Sequence, residues 1–178
     1  MTECVIRHCA PTLAGIKAGS LVSGEAGSAR AWLEEMRLLL KRFGLDGIVL
    51  CECGPRSLLY IYRPAMLACV LADERVRKFL STHGYTDFDV SSCVAHLRNR
   101  FLGQSEFPHE VGIYLSYPLG DVEGFIEHKG AQYKRCGHWK VYTDVDHAEH
   151  LFSAYNDCTR SLLGRYRHGA RLERLLAV

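Results

Sequence analysis

Two apolar runs joined by a tight turn constrain this chain more than any other feature. Residues 46–53 (DGIVLCEC) and 57–63 (SLLYIYR) are short and rich in β-branched, leucine and tyrosine residues. Cys53-Gly54-Pro55-Arg56 between them carries turn chemistry, so the pair predicts an antiparallel hairpin. On such a strand Cys51 and Cys53 share one face and Glu52 takes the other. Pro64 stops the second strand and leaves Tyr62 and Arg63 at its tip.

Helical signals surround the hairpin. In residues 29–43, Trp32, Met36, Leu39, Leu40 and Phe43 form one stripe, closed by Gly44. Residues 73–83 open on acidic side chains and stop at Gly84. Asp87 or Asp89 caps a helix over 90–101 that ends by Gly103. A last long helix starts after Thr143 or Asp144 and runs to about residue 167, with Leu151, Phe152, Tyr155, Leu162 and Leu163 inward. Near the start, residues 3–8 predict a short strand, and Pro11 then opens a helix over 11–22. Residues 23–28 (SGEAGS) predict a flexible connector, and 104–108 a loop.

The stretch 107–142 is the densest in chemically able side chains. Val111, Ile113 and Leu115 alternate with Gly112, Tyr114 and Ser116, which predicts a strand. Pro118 opens a helix with Asp121 and Glu123 in its first turns and Gly130 at its end. Trp139, Val141 and Tyr142 predict another strand. This order predicts an α+β fold with a single domain over residues 1–178. Its small, mostly antiparallel sheet is the hairpin plus two later strands, covered by helices.

Composition narrows the function classes. A net charge of +2 over 178 residues gives no electrostatic footprint for nucleic acid. No run of about 18 apolar residues predicts a membrane span. MTECVIRHCAP lacks an apolar signal segment, so a cytoplasmic location is expected. The eight cysteines (Cys4, Cys9, Cys51, Cys53, Cys69, Cys93, Cys136, Cys158) include no C-x-x-C pair. They suit a reducing compartment better than a disulfide framework. Dinucleotide, P-loop, H-E-x-x-H and G-x-S-x-G motifs are absent.

Candidate residues fall in two blocks. Cys9 precedes the helix expected from Pro11, and a thiol at a helix N-terminus ionises more easily. Arg7 and His8 act in the same direction. Cys9 is thus the leading thiolate, as nucleophile or metal ligand, against a buried structural cysteine. His109 is the leading acid–base or ligand candidate, with Glu110 on the opposite strand face. Cys136 and His138 share a face. Lys17 and Arg63 suit an anionic group such as a carboxylate, phosphate or haem propionate. Lys140 and Tyr142 complete the set. Cys9, His109, Cys136 and His138 together offer ligands for iron, zinc or copper.

The segments RHCAPTLAGIK, YRP, FPHEVGIYLSYPLGDVEGFIEHKG and CGHWKVY resemble the signature blocks of an uncharacterised bacterial family, Domain of Unknown Function thirty-seven ninety-three. The resemblance covers nearly the whole chain. It implies a role around iron, haem or redox chemistry through the family's gene neighbourhood. The chain departs from the family wording at Arg135, where a cysteine is expected before Cys136, and at Ser116, where glycine is expected. Three readings follow. The first is a small-molecule or metal-binding protein linked to iron, zinc or haem. The second is a small enzyme with Cys9 as nucleophile and His109 or His8 as base. The third is an interaction domain with structural cysteines.

Overall fold

The computed structural model describes residues 1–103 and 107–177. Helix α1 (Thr2–Leu13) leads through a turn at Gly15 into strand β1 (Gly19–Glu25). Helix α2 (Ser28–Arg42) precedes the hairpin β2 (Asp46–Cys53) and β3 (Arg56–Tyr62). Helices α3 (Pro64–Ala72), α4 (Glu74–Ser81), α5 (Val90–Gly103), the single turn α6 (Val111–Tyr114) and α7 (Leu119–Glu127) follow. A two-stranded ribbon, β4 (Arg135–Cys136) and β5 (Lys140–Val141), leads to α8 (Val145–Arg167) and α9 (Leu172–Leu176). No helix among the described residues is long and apolar enough to cross a membrane.

Strand β3 is central in an antiparallel sheet of order β1-β3-β2, with Tyr62 opposite both Gly19 and Asp46. Alternation along the strands divides the core. Val22, Val49, Leu59 and Ile61 face α1, α2, α8 and α9. Leu50, Tyr60 and Tyr62 face α3 to α7. Each fully buried side chain such as Leu59 or Ile61 contributes roughly 2 kcal/mol. A third cluster seats Trp139 and Val141 of the ribbon region on Ala148, Phe152 and Tyr155 of α8.

The α+β class and the hairpin stand as expected, but several elements differ. Residues 3–8 are helix, not strand. Val5, Ile6, Cys9, Ala10 and Leu13 recur at helical spacing and are fully buried. Pro11 lies inside α1 rather than opening a later helix. The chain reverses after it, with the Ile16 and Lys17 amides both donating to the Pro11 carbonyl at 2.8 and 3.2 Å. Half of the expected connector, Ser23 to Glu25, belongs to β1 and pairs with Leu58, Ser57 and Arg56. Residues 111–114 form a helical turn, not a strand. Val111 through Leu115 are all buried, so the apparent alternation carried no solvent face. Of the expected strand over Trp139–Tyr142, only Lys140 and Val141 pair, and they do so with β4, outside the main sheet. The loop expected over 104–108 lies largely outside the described residues, as does the Cys53 side chain.

Arg63 joins two helix ends. Its Nε donates to the Thr12 carbonyl at 2.7 Å, Nη2 to Leu13 at 2.5 Å and Nη1 to Phe43 at 3.2 Å. These acceptors belong to the last turns of α1 and α2, where helical carbonyls lack intrahelical partners. A cation there also meets the negative end of each dipole. We expect Arg63→Met to lower stability by about 2 kcal/mol and Arg63→Lys to restore part of it. Urea unfolding monitored by circular dichroism reads this directly; an unchanged midpoint would refute the double-cap role.

Candidate functional site

The turn Pro108-His109-Glu110 enters α6 with Glu110 pointing inward. Glu110 is 1% exposed and accepts a 2.7 Å bond from Arg100 Nε of α5. That ion pair fixes α6 against α5. Gly112 then allows α6 to touch α7, since a Cβ there would stand 2.7 Å from Val122 Cγ2. Between α6, α7, the ribbon and Leu21 of β1 lies a cavity of about 280 Å³. Val111, Leu115, Val122 and Phe125 give it apolar walls. Tyr117 and Trp139 add an aromatic side, their stacked rings 4.9 Å apart.

Two basic side chains stand where this cavity meets solvent. The exposed His109 ring packs 5.6 Å from Phe107 and 4.9 Å from Phe125. Lys140 Nζ donates to the Gly130 carbonyl at 2.6 Å and lies over Phe125 and Tyr133, 5.7 and 4.9 Å from their centroids. The one carboxylate among the described lining residues, Asp121, is engaged elsewhere. Its Oδ1 accepts from the Tyr142 amide, the Thr143 amide and Thr143 Oγ1 at 2.8, 2.8 and 2.7 Å. Its Oδ2 accepts from Trp139 Nε1 at 2.8 Å. Asp121 is 2% exposed, so four donors from the ribbon and the segment after it converge on one buried acid.

Lys17 occupies a cage beside the cavity. Its Nζ lies 5.2 Å from the Tyr117 centroid and 5.6 Å from that of Tyr155. The residue is 8% exposed, and among the described residues no carboxylate pairs with it. Burial pushes its pKa down from 10.5 to about 8. Desolvation also pushes the Tyr117 hydroxyl up to about 12.

The remaining candidates scatter. Cys9 is fully buried on the inner face of α1, within the core against the sheet. Burial pushes its thiol up to about 12, the reverse of the shift expected at a helix N-terminus. The reason is positional: α1 starts at Thr2, so Cys9 sits in its third turn. His8, next in sequence, is exposed on the other side of the helix. Arg63 is held by three carbonyls. Tyr142 gives its amide to Asp121, and its ring stacks on His128 at 5.7 Å. Cys136 and His138 line a separate open groove against α8. Cys9 therefore lies apart from His109, although Lys17 of the same block reaches Tyr117 at the aromatic side of the cavity, and the four proposed metal ligands are not brought together. Among the described residues no group of three or more His, Cys, Asp or Glu side chains stands close enough to hold a metal ion.

Of the anticipated residues, His109 and Lys140 line the cavity. Asp121, Tyr117, Trp139 and Phe125 were not anticipated as site residues. The signal available for Asp121 was an acid in the first turn of α7, which the helix dipole alone accounts for.

A family model described as a protein of unknown function, DUF3793, matches residues 5–176. No curated protein and no solved structure matches the chain.

Proposed function

The chain belongs to the DUF3793 family of proteins of unknown function, and on that premise we propose that it is a binding protein for a compact organic anion. The reading rests on one observation: an apolar, aromatic-walled cavity with His109 and Lys140 at its exposed end and Asp121, the only carboxylate among its described lining residues, already bonded. Small-molecule sites combine apolar walls with a few convergent polar groups. At about 280 Å³ this one lies at the lower limit of such sites, so the ligand is a compact aromatic or branched aliphatic acid rather than a macrocycle. The apolar body packs against Leu115, Val122 and Phe125, and its carboxylate faces the two basic side chains.

Trp139 lines the cavity and reports on occupancy. In a Trp32→Phe background it is the only tryptophan left. We expect a panel of compact aromatic and branched carboxylates to change its fluorescence saturably. Binding should be about tenfold tighter than for the matched amides, equivalent to about 1.4 kcal/mol. Lys140→Met is expected to remove that preference, and Leu21→Phe to fill part of the cavity and weaken binding at least about tenfold while Trp139 stays the only tryptophan. Absence of any saturable response, or binding indifferent to Leu21→Phe, overturns the reading.

A further inference from the structure

A second concavity lies where the ribbon meets α8. It is an open groove of about 560 Å³ that holds Cys136, His138 and Asn156. Cys136 and His138 are both exposed. His138 Nε2 lies 3.0 Å from Asn156 Oδ1. A carbonyl oxygen only accepts, so Nε2 carries the proton and Nδ1 is left as the basic nitrogen. Phe152 and Tyr155 hold the ring from α8, each with its centroid 5.5 Å away. The intervening Gly137 is pressed onto Phe152, where a Cβ would stand 2.1 Å from Cε2. The turn is thus fixed on α8, with a thiol and an oriented imidazole two residues apart in one groove. The charged groups facing them are Arg135 from the ribbon and Glu149 from α8, which pair with each other at 2.9 Å.

We propose that Cys136, His138 and Asn156 form a thiol-exchange site that accepts small disulfides and carries a mixed disulfide on Cys136. His138 Nδ1 takes the Cys136 proton. The thiolate attacks one sulfur of the disulfide; a new S–S bond forms to Cys136 as the old one breaks. The leaving thiolate takes the proton back from the imidazolium. The Cys136 sulfur is oxidised, the departing sulfur is reduced, and no further electron carrier is required. Asn156 is a positioning residue that holds the tautomer. Acyl transfer fits the groove less well. The Gly137 amide beside the thiol already donates to the Trp139 carbonyl at 3.0 Å, so it is not offered to an oxyanion. Disulfide exchange develops no oxyanion.

The chain supplies its own control. Cys69 is also exposed, on α3, outside the groove. Reduced protein is treated anaerobically with 2-hydroxyethyl disulfide at pH 7, quenched, and both adducts are followed by peptide mass spectrometry. Cys136 is expected to react about tenfold faster than Cys69, a modest acid–base contribution for an exposed pair. His138→Ala should bring Cys136 down to the Cys69 rate. Asn156→Ala should slow Cys136 several-fold while Cys69 stays unchanged. These side chains are exposed, so circular dichroism should remain that of the parent. Equal rates at the two cysteines in the parent, or a Cys136 rate unmoved by His138→Ala, overturns the proposal.

Discussion

Replacing Asp121 with alanine is expected to cost about 4 kcal/mol, a severe loss for a single substitution. The ground is the convergence of Trp139 Nε1, the Tyr142 and Thr143 amides and Thr143 Oγ1 on one acid that is 2% exposed. Leaving the buried Trp139 N–H without a partner costs about 1–3 kcal/mol, and losing the three part-buried bonds to Oδ1 costs about 0.5–1 kcal/mol each. Asparagine separates the two oxygens. Its carbonyl takes the Oδ1 position and keeps the three donors there. Its NH₂ then faces the indole N–H, donor against donor. Asp121→Asn should therefore cost about 2 kcal/mol, less than alanine, and should change the Trp139 environment specifically. Urea unfolding gives the energies, and near-ultraviolet circular dichroism gives the Trp139 signature. If asparagine proves as stable as aspartate with Trp139 unmoved, the buried acid is not what fastens the ribbon.

Lys17→Met should go the other way and stabilise the protein. A fall in pKa from 10.5 to about 8 means the folded chain holds the charged amine less well than the unfolded chain does, by about 3 kcal/mol. The sign follows from proton counting. Between about pH 8 and 10.5 the unfolded chain binds more protons at this site, so its contribution to stability rises with pH across that window. Below pH 8 the amine is charged in both states and the full penalty applies. Methionine keeps the apolar stem and removes the charge. Loss of the two tyrosine contacts takes back about 1 kcal/mol, leaving a gain of about 2 kcal/mol at pH 7. Above pH 10 the parent amine is neutral when folded, and the gain should shrink below about 1 kcal/mol. Most thiols and the tyrosines titrate in both proteins and largely drop out of the difference; Cys9, whose thiol the Lys17 charge pulls down, does not. A gain that is absent at pH 7, or that stays constant to pH 10, would contradict a buried unpaired ammonium.

The hairpin, α2, α4, α5 and the start of α8 were readable because their signals are local: a turn tetrapeptide, one helical stripe, an N-cap. Asp73 and Asp144 do cap α4 and α8, accepting from the Arg75 and His147 amides. Strand β1 was not readable. GSLVSGE has the composition of a linker, and it becomes a strand because β3 offers seven residues to pair with. Helix α6 failed for a related reason. A buried five-residue run carries no polar phase, so its period cannot distinguish strand from helix. Misplacing the start of α1 turned Cys9 from a core residue into a thiolate. The cavity was half visible: His109 and Lys140 stood out by chemical type. Asp121 did not, because its donors lie 18 to 22 positions away and no local pattern encodes such a distance. Lys17 and Arg63 were recognised as cations, but their partners, tyrosine faces and helix-end carbonyls, exist only once the chain has folded.

The ribbon has two sides with different occupants. Trp139 belongs to the cavity wall, while Cys136 and His138, its near neighbours in sequence, belong to the groove. If a displacement on one side of so short an element carries to the other, whatever effect an occupant of the cavity has on an occupant of the groove is returned by the same factor. The ribbon thus puts one wall of each concavity on a single pair of two-residue strands.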